Sequence, residues 1–152
     1  MNGPRECSVA RTLEVVGERW SLLVLREVFL GVRRFDAIRE ATGAPRAVLA
    51  ERLRALVAAG VLTRREYRDE GARTRHEYRL TEAGRELQPA LTALMQWGDK
   101  HRPMPDGPPS RVSHADCGAP VRARLVCDDG HVLPDTGREL HAEPRVAIRT
   151  GR

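Results

Sequence analysis

Lysine is almost missing from this chain of 152 residues: of its 26 basic residues only Lys100 is lysine, and the rest are arginine. A basic surface here has a bland reading, a solvated face in an arginine-biased proteome, which has to be weighed against a polyanionic partner. Cysteine is scarce as well. Cys7, Cys117 and Cys127 are too few and too scattered for a disulfide framework, which leaves them redox or metal chemistry. No apolar run approaches the roughly 20 residues that a membrane span needs. The start, "MNGPRECSVARTLE", lacks the apolar core of a secretory signal, so a soluble, cytoplasmic protein without a membrane partner is expected. Catalytic patterns are missing too. No Ser-His-Asp or Cys-His arrangement is readable and no glycine-rich loop precedes a helix, so neither an enzyme nor a cofactor is expected.

What charge there is has an address. Residues 103–152 hold 7 arginines and 7 acids and cancel, whereas residues 33–79 hold 12 arginines against 7 acids. That middle stretch alone matches the net charge of +5 of the whole chain. A local basic patch on a nearly neutral background points to nucleic acid.

The order of elements says how the patch is held. Residues 9–16 read as a short helix with Gly17 as its stop, then comes the strongly apolar "RWSLLVLREVFLG", a helix central to a small core, ended by Gly31. "RRFDAIREATG" gives a third helix of about two turns, with Phe35 and Ile38 inward and Gly43 at its end. Pro45 suits the first turn of a fourth helix, whose buried stripe is Leu49, Leu53, Leu56 and Val57 and which Gly60 closes. "VLTRREYRDEGARTRHEYRLT" alternates around Asp69, Glu70 and Gly71 and reads as a β-hairpin with an arginine-rich tip. Thr81, Glu82 and Glu86 suit the start of a long helix running to about Lys100. Helix, helix, short helix, basic helix, basic hairpin, long helix is the order of a winged helix-turn-helix, mainly α with a small β wing, with "ATGAP" as the turn.

These residues also resemble a known family, the HxlR-type regulators, a branch of the MarR-like winged-helix transcription factors. The resemblance spans residues 7–98 and rests on "ECSVARTLEVVGERWSLLVLREVFLGVRRFDAIR", "VLAERLRALVAAGVLTRR" and "YRLTEAG". It implies a homodimeric bacterial DNA-binding protein that represses or activates a nearby gene, repression being the expected mode, with an interface built from the first and last helices. It also implies that Cys7 matches a cysteine that several members use as a switch for quinones, aldehydes or oxidants. Ser8 stands where the family often has Pro, and Val32 where it often has the Pro of Gly-Pro, departures that bear on local geometry.

Particular side chains are expected to carry these roles. Arg46, Arg52 and Arg54, with Ala47 and Val48 beside them, are expected on the DNA-facing helix, where a guanidinium matches guanine O6 and N7 or a phosphate. Arg33 and Arg34 are expected to clamp phosphates, and Arg68, Arg73 and Arg75 to place the wing on the backbone or minor groove. Val9, Leu13, Leu87, Leu91, Leu94, Met95 and Trp97 are the expected dimer seam, which predicts pseudo-palindromic operators. Cys7 has two readings, a reactive thiol at a helix N-terminus or an inert interface residue. A reversibly bound small effector is a further way to release DNA, and a winged helix used only for protein contact is the alternative function.

Residues 1–102 are expected to form the DNA-binding and dimerisation domain, and 103–152 a proline-rich linker with an extension. His114, Cys117, Cys127 and His131 in that extension are of the right types for zinc, but they lack paired CxxC knuckles. A β-hairpin of "VRARLVC" and "HVL" around Asp129-Gly130 is the simpler account, so no metal is assigned. Beyond Pro134 little structure is expected.

Overall fold

Backbone punctuation in the sequence becomes helix boundaries in a computed structural model, which describes residues 7–68, 71, 74–134 and 137–141. α1 (Ser8–Val16) closes when the Gly17 N–H reaches the Leu13 carbonyl at 2.8 Å. α2 (Arg19–Phe29) starts on Glu18, whose carboxylate accepts the Trp20 N–H, and carries the centre of the core through Val24, Leu25 and Val28. α3 (Phe35–Thr42) ends on Gly43 at φ +70°, a left-handed conformation that a side chain would strain. Ala44 is buried beneath this turn, and Pro45, whose missing N–H costs nothing there, caps α4 (Arg46–Ala58).

Leu49, Leu53 and Leu56 of α4 are fully buried against Leu25 and Ile38, each worth roughly 1.5–3 kcal/mol of transfer free energy. Val57, expected beside them, is only half-buried. β1 (Leu62–Tyr67) and β2 (Arg75–Leu80) pair antiparallel, Leu62 opposite Leu80 and Tyr67 opposite Arg75. The far edge of β2 is also used. Arg34 bridges Glu77, and the Tyr78 N–H donates to the Arg33 carbonyl at 2.8 Å, which anchors the α2–α3 connection to the base of the hairpin. Asp69, Glu70 and Arg73, expected at the hairpin tip, lie outside the described residues.

The expected single long helix is two. α5 (Glu82–Arg85) stops, residues 86–87 turn, and α6 (Gln88–His101) begins again. Pro89 explains the break: it has no N–H for the Arg85 carbonyl and its ring would clash there. Upstream, the Thr81 hydroxyl lies 2.6 Å from the Gly60 carbonyl and accepts the Gly84 N–H at 3.1 Å. Gly84 is held so close to Val61 that an added Cβ would stand 2.2 Å from the Val61 carbonyl oxygen.

The chain divides into two units at 95/96, inside α6, rather than at the expected 102/103. Gln96 accounts for the earlier boundary. Its amide donates to the Val121 carbonyl at 2.8 Å and accepts the Ala123 N–H at 3.0 Å, so the end of α6 belongs with the extension. The extension makes two tight turns, each closed by one bridge, Ser113 with Pro120 and Val126 with Val132. The second is the expected hairpin, with Cys127 N–H to the His131 carbonyl and Leu133 N–H to the Leu125 carbonyl, but it does not grow into strands. Pro134 has no N–H to extend the ladder on one side, and residues 121–123 are partnered by Val112 and Gln96 on the other. Part of the stretch beyond Pro134 lies outside the described residues.

Candidate nucleic-acid interface

The turn between α3 and α4 is fastened from within: the Thr42 hydroxyl donates to the Ile38 carbonyl at 2.7 Å and accepts the Ala44 N–H at 3.3 Å. With Leu49, Leu53 and Leu56 committed to the core, α4 turns Ala47, Glu51, Arg54 and Ala58 outward, and all four are exposed. Val48 is half-buried at the edge of that face. Arg54 has no acidic partner among the described residues, so its guanidinium is available to an external anion. Arg52 lies about 160° round the helix from it at 3.6 residues per turn. Its side chain is only 23% exposed and pairs with Glu51, which makes it the weakest of the three expected contacts. Arg46, 70% exposed at the start of α4, lies 3.7 Å from Asp36 and 5.1 Å over the Phe35 ring. Such an exposed ion pair is worth little and leaves the guanidinium able to exchange partners.

The flanks carry more guanidinium. Arg33 and Arg34 are exposed, and Arg34 sits 4.5 Å over the Tyr67 ring, joining the α2–α3 connection to β1. Arg68 and Arg75 are exposed at the ends of the hairpin strands. Arg64 and Arg65 of β1 are exposed as well and were not singled out from the sequence. Arg64 contacts the His76 ring nitrogen at 2.8 Å, and His76 lies 3.6 Å from Glu66. The hairpin alternation carried this signal, since Glu66 and His76 are opposed in register. Arg79, also unremarked, donates to Glu77 at 2.6 Å and braces the hairpin.

The expected dimer residues separate into two groups. Leu91, 7% exposed, packs into its own domain and Leu87 is half-buried against that core, because the turn at 86–87 rolls α6 inward there. Met95 is half-buried. Leu94 and Trp97, 58% and 57% exposed, face outward on α6, and Val9 and Leu13 do so on α1.

Cys7 is exposed at the N-cap of α1. It forms no capping hydrogen bond, yet the backbone N–H groups of Ala10 and then Val9 hold its thiol below the ordinary cysteine pKa, with Arg11 adding to them. An open cleft of about 370 Å³ lies nearby, lined by Ser8, Arg11, Thr12, Val16, Val61 and Leu87. In the extension His114 Nδ1 lies 3.3 Å from Cys117 Sγ, and Cys127 Sγ lies 3.5 Å from His131 Nδ1. The four fall into two pairs, and among the described residues no three His, Cys, Asp or Glu side chains surround one point. Among the described residues no helix is long and apolar enough to cross a membrane.

A fastened helix-turn-helix presenting an arginine-bearing helix, beside a two-stranded wing, defines a winged helix-turn-helix transcriptional regulator, a class whose members bind DNA. The chain belongs to the HxlR-like helix-turn-helix family, whose model matches residues 15–106. It is 52% identical over 138 residues to an HTH-type transcriptional regulator of Mycobacterium tuberculosis, covering 90% of this chain and 85% of that one. A solved transcription factor, PA1607, superposes with a TM-score of 0.72 at 36% identity, covering 90% of this chain and 95% of that one. The redox regulator HypR in its oxidized form superposes at 0.55 and 30% identity, over 62% of this chain and 96% of its own.

Proposed function

We propose that the protein is a homodimeric repressor of pseudo-palindromic operator DNA, with α4 in the major groove and the hairpin along the flanking backbone. The observation that carries this reading is the outward face of α4, where Ala47 and Arg54 stand exposed, together with the exposed arginines of the α2–α3 connection and the hairpin. Small Ala47 leaves room for close approach, and Arg46 and Arg54 supply the charge. Arg33, Arg34, Arg68 and Arg75 fix register through phosphates. Leu94 and Trp97 of α6, with Val9 and Leu13 of α1, form the seam between subunits, a two-fold arrangement that sets two α4 helices one DNA turn apart.

Modification of Cys7 by an electrophile or oxidant releases the DNA. Its exposure and lowered pKa support this, as does the likeness to a protein named as a redox regulator. A small ligand in the cleft beside α1 is the other way to displace the same helix.

The test is fluorescence anisotropy with the DNA upstream of the coding sequence and an unrelated duplex, across a salt series. Steep loss of affinity with salt and preference for the first duplex are expected. Arg54→Ala should cost about 1–3 kcal/mol if it reads a base, or flatten the salt slope by about one if it holds a phosphate. Equal, salt-insensitive binding to both duplexes would replace this reading with a protein-contact module.

A further inference from the structure

An arginine that reads a base and one that grips a phosphate are the same side chain, and what separates them is how each is aimed. A phosphate oxygen accepts from many directions. Guanine O6 and N7 accept together only from a guanidinium fork lying in the plane of the base pair. The two exposed arginines of α4, Arg46 and Arg54, differ in this respect.

Arg46 is held on two sides. Its guanidinium carbon lies 5.1 Å from the centre of the Phe35 ring, within the range of cation–π attraction. Phe35 is half-buried and packed against the core, so the ring is a fixed platform. Asp36, next along α3, stands 3.7 Å from Arg46 Nη1. That is a charge contact too long for a hydrogen bond, and among the described residues no Arg46 donor is spent on one. Both neighbours belong to α3, whose place against α4 is set by the Thr42 bonds to Ile38 and Ala44. A carboxylate there repels a phosphate but not a neutral base edge. Arg46 is also the first residue of α4, and the N-terminal residues of a recognition helix are those that meet base edges. Arg54 lies about 12 Å further along the helix axis. Among the described residues it has neither a ring nor a carboxylate beside it.

We propose that Arg46 is the base-reading arginine of α4, aimed at a guanine by the Phe35 ring and the Asp36 carboxylate, and that Arg54 holds a phosphate. This rests on the reading that places α4 in the major groove. Asp36 is a positioning residue. It faces Nη1, which leaves the Nε and Nη2 edge, with two parallel N–H groups, for O6 and N7. Phe35 limits the tilt of the guanidinium plane. In solvent the contact with Asp36 counts for little, but in a groove from which water is displaced it strengthens.

The experiment uses the full chain to select duplexes from a randomised pool. The selected duplex is then remade with adenine, or with 7-deazaguanine, which lacks the N7 acceptor, at each specified guanine. At one guanine in each half-site adenine should cost the native protein about 5- to 150-fold in affinity, the worth of a bidentate contact. Arg46→Lys keeps the charge and loses the fork. It should bind the guanine, adenine and 7-deazaguanine duplexes alike at that position, with the salt slope unchanged. Arg54→Lys should keep the preference for guanine. Asp36→Asn should reduce that preference several-fold, although removing a negative charge favours DNA binding as a whole. Both Arg46 and Asp36 are exposed, so native circular dichroism is expected of each variant and checks its fold. A pool from which no sequence is enriched would overturn the major-groove reading and this assignment with it. An enriched sequence whose guanine preference survives Arg46→Lys would overturn the assignment alone. Asp36→Asn that raises affinity equally on every duplex, with the preference intact, would overturn the positioning role.

Discussion

The two halves of this chain are ordered by different means. In the first, thirteen apolar residues from α1, α2, α3, α4, α6, the turns and the hairpin are buried together. In the second, a shorter length of chain turns tightly at Gly118 and Gly130 yet buries none of its described residues beyond α6. Burial specifies the winged helix through many small, redundant contributions. The extension depends on a few polar contacts, each of which has to be right.

That contrast is sharpest at Leu53. Truncation to Ala should destabilise the winged helix by about 2–5 kcal/mol, since a fully buried leucine leaves a cavity that α2 and α4 cannot close. Urea unfolding followed by circular dichroism reads this, and a loss below about 1 kcal/mol would say that the core tolerates a void. Gly84→Ala comes next. The new methyl would meet a backbone oxygen, not a movable side chain, and a loss of about 1–3 kcal/mol is expected from the same measurement. Thr81→Ala should cost about 1 kcal/mol by removing the cap of α5 and its bond to the Gly60 carbonyl. An unchanged melting temperature would show that water replaces both. Val126→Ala in the extension should fall within about 0.5 kcal/mol, because the side chain it shortens is already in water. A large loss there would mean that the extension buries Val126 in solution, and the contrast would fail.

Cys7→Ser should leave stability unchanged, and the thiol's signature lies in its reactivity. Because the Ala10 and Val9 N–H groups favour the thiolate, its share rises with pH around a lowered pKa. Alkylation by iodoacetamide should therefore reach half its limiting rate below the pH expected of an ordinary cysteine, about 8.5. A midpoint at or above that value would remove the electrostatic basis of the proposed switch.

Boundaries set by one residue's own backbone were legible in the sequence. Gly43 and Pro45 fix the helix-turn-helix by local chemistry, and the spacing of Leu49, Leu53 and Leu56 declares the buried face of α4. Apolar periodicity misled at α5 and α6, because Leu87, Leu91 and Leu94 keep helical spacing across a break that Pro89 imposes. Arg52 looked equivalent to Arg54 as a residue type, and only the angular position on the helix tells them apart. The roles of Arg33 and Arg34 at the edge of β2 and the Gln96 clamp join residues through the tertiary fold. No local pattern announces them. In the extension the four chemically capable residues were visible, whereas their sorting into two Cys–His pairs needed the turns.

Under the proposed function, the backbone bridge of Arg34 with Glu77 bears on how an operator is chosen. Together with the Tyr78 N–H to the Arg33 carbonyl, it ties the α2–α3 connection to the hairpin as a calliper whose opening is set by the fold. A calliper that does not give leaves the duplex to do the bending and twisting. On the proposed DNA-binding reading, operators that differ only at base pairs no side chain touches are expected to differ in affinity, according to how readily each sequence deforms to the width of the jaws.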